Sequence, residues 1–133
     1  MIKENMDETS SGYSAHVGGL KLNKIDDLNF EYYAEVKEIH LNTAKMAHGG
    51  FLTFIADTGM GNAAHQVAGN KRCVTISLEM KFISAGKLGD KLTAKVKVQK
   101  KTNTLVFLTC EISNDESIIA VTSGVWKILK SNK

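Results

Sequence analysis

The chain has two cysteines among its 133 residues, Cys73 and Cys110, far apart in apolar surroundings. That spacing speaks against a disulfide scaffold. His16, His40, His48 and His65 form no pair with either thiol at metal-ligand spacing, so a structural metal is not expected. Cysteine usage of this kind fits a reducing, cytoplasmic compartment. No apolar run is long enough to span a membrane, because the most hydrophobic stretch, Phe51 to Ala68, is broken by Thr53, Asp57, Asn62, His65 and Gln66. The opening Met1-Ile2-Lys3-Glu4-Asn5 turns polar at once and lacks the apolar centre of a secretory signal. Charge of one sign is also scarce: 17 Lys and Arg against 14 Asp and Glu leave +3. With no basic block, that excess is too mild for nucleic acid, yet it still favours an anionic small molecule. Internal repeats, a Gly-x-Ser-x-Gly elbow and a phosphate loop are all missing. Gly59-Met60-Gly61 followed by Ala64 imitates a dinucleotide fingerprint, but it falls inside a helical stretch rather than after a strand. Small residues there are expected to allow close packing.

What is present is alternation. Phe30, Tyr32, Ala34 and Val36 share one side of a strand. Val74, Ile76, Leu78, Met80 and Phe82 do the same against Thr75, Ser77, Glu79 and Lys81, as do Leu92, Ala94, Val96 and Val98. This period of two predicts strands with one buried face. Thr102-Asn103 and Asn114-Asp115 link two further runs, Thr104 to Ile112 and Ser117 to Leu129, which carry apolar residues on both faces as central strands do. Gly12 to Leu20 suggests a short helix feeding a strand at Leu20 to Ile25, and Asp26-Asp27 a turn. From Gly50 to Ala68 the composition is helical, nearly apolar all round, and closes at Gly69-Asn70. The expected organisation is a polar tail over residues 1–12 and one α+β domain over 13–133. In it, one long helix is wrapped by a curled antiparallel sheet of about five to six strands.

Within that helix Asp57 stands out. Aspartate is a poor helix-interior residue, and this one lies too far along to cap the first turn. A carboxylate there is either a structural group, satisfied by a neighbouring threonine or a partner chain, or a reactive one. Directly before the helix stands His48-Gly49-Gly50. Glycines let the backbone approach a ligand, and N–H groups at a helix start stabilise an oxygen on which negative charge develops. A plain glycine turn with a hydrogen-bonded histidine is the alternative. Gly49 and Asp57 are eight positions apart, about 12 Å of helical rise. A reacting carbonyl must touch both its donor and its attacking group, so one chain cannot supply both. Two copies with antiparallel helices can, and they form two identical sites.

The run Asn42…His48-Gly49-Gly50…Asp57-Thr58, with Thr75 and the Ser84…Lys87-Leu88-Gly89-Asp90 turn, resembles hot-dog acyl-CoA thioesterases. The likeness is to the PaaI-like and 4-hydroxybenzoyl-CoA thioesterase branch, and it covers about Gly18 to Leu129. The resemblance implies a hot-dog fold, a homodimer or homotetramer, and hydrolysis of an acyl-CoA with no cofactor beyond the coenzyme A of the substrate itself. It implies that the Gly49 N–H polarises the thioester carbonyl. Asp57 of the opposite subunit then attacks that carbonyl or activates water. Asn42 and His48 match residues lining the site, and Thr75 matches a hydroxyl that places the carboxylate or water. By alternation alone Thr75 falls on the polar side of its strand, away from such a role, unless the strand is bulged or lies at a dimer seam. Asn42 reads equally as a turn residue.

Gly50 and Phe82 join the substrate-binding set, and Lys71, Arg72 and Lys87 are candidates for the nucleotide phosphates, together with Lys100 and Lys101. Each of these cations reads alone as a solvated turn charge. Phe51, Phe54 and Phe82 are available to an acyl pocket or to the core. Two other functions remain open. One is a module that binds acyl-CoA without turnover. The other is a hot-dog dehydratase or hydratase, whose pattern places a catalytic histidine in a proline-containing loop, whereas this chain has no proline.

Overall fold

The computed structural model describes residues 11–130 and the backbone of Asp7–Glu8; most of the expected 1–12 tail lies outside them. A two-residue strand β1 (Asp7–Glu8) and a short helix α1 (Gly12–His16) precede β2 (Lys21–Lys24) and β3 (Asn29–Glu35). The long helix α2 (Gly49–Val67) follows, then β4 (Cys73–Phe82), β5 (Lys91–Lys101), β6 (Leu105–Ser113) and β7 (Ile118–Ile128). All strand pairs are antiparallel, in the order β1-β2-β3-β5-β6-β7-β4. This is the hot-dog layout: six strands of four to eleven residues and a two-residue one curl around the one long helix among the described residues.

Alternation sets which face meets the helix. Leu92, Ala94, Val96 and Val98 of β5, and Val106, Leu108, Cys110 and Ile112 of β6, are buried on that face. Ile55, Ala56, Met60, Ala63 and Ala64 of α2 pack onto them. The glycines inside the helix serve close approach. An added Cβ would come within 3.0 Å of the Tyr32 ring at Gly59, and within 3.2 Å of the Trp126 indole nitrogen at Gly61. The outer face of β6 is less buried than its two-sided apolar pattern predicts, since Leu105 and Phe107 remain partly exposed. Asp26 and Asn114 hold their turns as expected, each with its side-chain oxygen accepting backbone N–H groups two or three residues on.

Strand β4 corrects the sequence reading. Thr75 pairs with Trp126 and Ser77 with Val125, so Ile76 is one extra residue, a β-bulge. A one-residue slip moves every side chain beyond it to the other face. Cys73 and Thr75 therefore lie on the same side as Ile128 and Trp126, both buried, whereas beyond the bulge the even residues Leu78 and Met80 turn inward. Val74 and Ile76 do not join that face and stand 42% and 55% exposed. β4 is also one of the two outermost strands, and no strand among the described residues pairs with its outer edge.

Candidate active site

His48 is the N-cap of α2, and its Nδ1 accepts the Gly50 N–H at 2.7 Å. The His48 carbonyl accepts from Phe51 N at 2.9 Å and Leu52 N at 3.1 Å. The Leu52 bond is the first regular turn of the helix, and His48 N donates to the His40 carbonyl at 2.8 Å, so three of the four N–H groups left over at the helix start, those of His48, Gly50 and Phe51, are used. The fourth, on Gly49, has no acceptor among the described residues. Gly50 is thus not the free donor its place in the motif suggested, and Gly49 is. The Phe82 ring lies over Gly49, 3.5 Å from where a Cβ would stand, and is 55% exposed.

Two turns along the same face sits Asp57, half-buried. Its Oδ1 accepts a hydrogen bond from the Thr75 hydroxyl at 2.8 Å. It has no ion-pair partner among the described residues. The bulge at Ile76 is what turns Thr75 toward the helix, so the strand departs from simple alternation as the Thr75 assignment required. Between Gly49 and Asp57 lies Thr53, unremarked in the sequence beyond its polarity, whose hydroxyl donates to the Gly49 carbonyl at 2.8 Å. Its position, one turn from each, becomes a signal only once Gly49 and Asp57 are both assigned to the site.

The remaining candidates divide. Asn42 organises its own loop: its Oδ1 accepts from Ala44 N at 2.9 Å and Met46 N at 3.1 Å, the turn role the sequence also allowed. Lys87 belongs to the β4–β5 loop, which touches the segment before α2 through Ala47 N to Gly86 O at 2.9 Å, and so stands at the Gly49 end. Lys71 and Arg72 lie beyond the other end of α2, where Leu129 N donates to the Arg72 carbonyl. Lys100 and Lys101 line a cleft of about 530 Å³ with Gln66. Nine positions from Asp57, Gln66 faces the opposite side of the helix, so this cleft lies on the far side of α2 from the carboxylate. Phe51 and Phe54 are core residues. Phe51 stacks on the buried His40 ring at 3.6 Å, and Phe54 meets Tyr13 edge-on at 5.5 Å. His40 is itself held by Lys37 N on Nδ1 and by the Val17 carbonyl on Nε2.

Together these residues offer one unpaired amide at a helix start and one carboxylate held by a hydroxyl, about 12 Å apart along a shared face. The face borders the open edge of β4. Among the described residues no three His, Cys, Asp or Glu side chains group as metal ligands, and no helix is long and apolar enough to cross a membrane.

The sequence matches the Thioesterase superfamily over residues 44–120, which takes in His48, Gly49, Asp57 and Thr75. It is 31% identical over 94 residues to the Pseudomonas aeruginosa protein PA0474, provisionally described as an esterase, covering 70% of each chain. The chain belongs to the thioesterase superfamily. Solved structures share its fold. The PaaI protein from the phenylacetic acid degradation operon of E. coli superposes with a TM-score of 0.81 at 23% identity, covering 89% of this chain and 84% of that one. A hypothetical thioesterase from Streptococcus pneumoniae, solved with coenzyme A, gives 0.79 at 22% identity, covering 97% and 99%.

Proposed function

We propose that this protein hydrolyses acyl-CoA thioesters, in the manner of the PaaI-like and 4-hydroxybenzoyl-CoA branch, at sites shared by two copies of the chain. The observation that carries the reading is the pairing of a free Gly49 N–H with a Thr75-held Asp57 on one helix face, too far apart to act on one carbonyl within a single chain. With two α2 helices antiparallel, Gly49 of one copy lies level with Asp57 of the other. The exposed edge and apolar side chains of β4 supply a surface for that second copy.

In the shared site the Gly49 N–H donates a hydrogen bond to the thioester oxygen as negative charge builds on it. The Asp57 carboxylate either attacks the carbonyl carbon and expels the CoA thiolate, giving an anhydride that water then opens, or takes from the attacking water a proton that ends on the departing thiolate. Either route consumes one water and releases the free acid and the CoA thiol. Thr75 holds one carboxylate oxygen and leaves the other for the reaction. Lys87 comes from the copy that supplies Gly49. Lys71 and Arg72 come from the copy that supplies Asp57, about 15 Å further along its helix. Both positions suit the phosphates at the far end of a bound coenzyme, and Phe82 flanks the thioester. The relative solved with coenzyme A supports this substrate class. Two free cysteines fit a reducing, cytoplasmic setting.

Thiol release over a panel of aryl, arylacetyl and medium-chain acyl-CoAs tests the proposal. Asp57→Ala and Asp57→Asn should lower turnover by a factor of about a thousand or more while the assembly survives. Tight binding without thiol release would point to a carrier instead, and loss of water from a β-hydroxyacyl chain to a dehydratase.

A further inference from the structure

Two side chains tie down the first turn of α2, and neither needs to touch substrate to do so. His48 Nδ1 takes the Gly50 N–H at 2.7 Å, and Thr53 Oγ1 donates to the Gly49 carbonyl at 2.8 Å. Between them the peptide joining His48 to Gly49 is fixed from its carbonyl side, because His48 O accepts from both Phe51 N and Leu52 N. A trans peptide is planar, with its N–H opposed to its C=O. Holding that carbonyl along the helix therefore aims the Gly49 N–H outward past the helix start. The neighbouring Gly50 N–H would be a rival donor, but the imidazole has already taken it. A Cβ at residue 50 would stand 2.9 Å from His48 Nδ1, so glycine is what lets the ring come this close. A backbone N–H only donates, so the bonded Nδ1 carries no proton and the neutral ring holds its hydrogen on Nε2.

We propose that His48 is a positioning residue: acting through Gly50, it leaves Gly49 as the single free amide at the helix start, aimed where the thioester oxygen gains charge. This rests on the thioesterase reading above.

Two substitutions separate this role from direct contact with substrate. His48→Ser keeps a good N-cap acceptor but is too short to reach beyond the turn, whereas His48→Gln has reach and caps poorly. kcat of His48→Ser should stay within about threefold of the parent. That of His48→Gln should fall roughly tenfold to a hundredfold at unchanged KM, the cost of a misaimed donor. Amide hydrogen exchange read by NMR gives a view independent of turnover. The Gly50 amide should be protected in the parent and in His48→Ser, and exchange freely in His48→Gln. A Gln variant that keeps its rate where Ser loses it would overturn the proposal, showing that the ring works on the substrate. Equal rates in all three proteins, equal losses in both variants, or an unprotected Gly50 in the parent would overturn it as well. A parent that cleaves no acyl-CoA while Gly50 stays protected would instead remove the thioesterase reading and leave His48 a structural cap.

Discussion

The Thr75 hydroxyl donates to Asp57 Oδ1 at 2.8 Å, joining two residues 18 positions apart through a bulge in the edge strand. A hydrogen bond to a charged carboxylate contributes about 1.5–3 kcal/mol. Thr75→Val keeps the shape of the side chain and removes the donor. It should lower kcat about tenfold, and Thr75→Ser should restore most of the loss. Equal activity in Thr75→Val and the parent would show that Asp57 needs no such holder.

How far this was legible in the sequence depended on the strand. In β5 the alternation of Leu92, Ala94, Val96 and Val98 matches the buried face residue for residue, because the ladder is regular as far as Val98 and its one slip, at Gln99, comes after them. In β4 the letters alternate just as well from Val74 to Phe82, yet the backbone slips at Ile76, and periodicity carries no mark of an inserted residue. Val74 and Ile76 are apolar without being buried in the single chain, since neither joins the face that meets the helix. Asp57 could be found because a carboxylate is costly at that point in an apolar helix. Thr53 and the His40–Phe51 stack could not. The first is an ordinary helix residue until Gly49 and Asp57 flank it, and the second joins segments whose contact only the folded chain creates.

Adjacent glycines at the helix start should respond differently to the same change. At Gly49 an added methyl meets only the Phe82 ring at 3.5 Å, an ordinary contact, and leaves the N–H in place. Gly49→Ala should keep activity within about fivefold and raise stability by about 0.5–1 kcal/mol through the backbone entropy of the unfolded chain. At Gly50 the methyl would stand 2.9 Å from the imidazole and displace it, breaking the 2.7 Å cap. Gly50→Ala should therefore cost roughly tenfold or more in kcat and lower the melting temperature. Matched kinetics and melting curves for the two variants check the contrast, and the reverse order would refute it.

If Gly49 of one helix lies level with Asp57 of an antiparallel second, residue 53 lies level with its own copy. Paired helices run about 8–10 Å apart, close enough for short side chains at that level to meet. In a Cys73→Ser background, Thr53→Cys should form a covalent dimer under mild oxidation. His65→Cys, about 36 Å from its copy in the same register, should not. Denaturing electrophoresis without reductant reads the result. A monomeric Thr53→Cys protein beside a cross-linked His65→Cys protein would require a different pairing and would take the shared site with it.

The sheet interior sets a limit on alkaline stability. Cys110 is buried on β6, and burial, helped by the nearby Glu111 charge, pushes its thiol from an ordinary 9.0 up to about 12. Tyr32, buried against Gly59 and donating to Asn62 Oδ1 at 2.7 Å, is also raised, by burial first and the Cys110 charge second. Both groups stay protonated in the folded chain at pH values where the unfolded chain has released its protons. Between the two values the unfolded state binds fewer protons, so unfolding becomes easier as pH rises. The stability these groups contribute is complete below about pH 9 and erodes from there. Cys110 alone accounts for a loss of order 4 kcal/mol by pH 12. Denaturant midpoints at pH 7, 9 and 10.5 should fall steeply over the last interval. Cys110→Ala should start about 1 kcal/mol less stable at pH 7, because it leaves a small void. From pH 9 upward its stability should then decline by about 1.4 kcal/mol less per pH unit than that of the parent. Parallel pH profiles for the two proteins would show that the thiol ionises as readily in the folded chain as in the unfolded one.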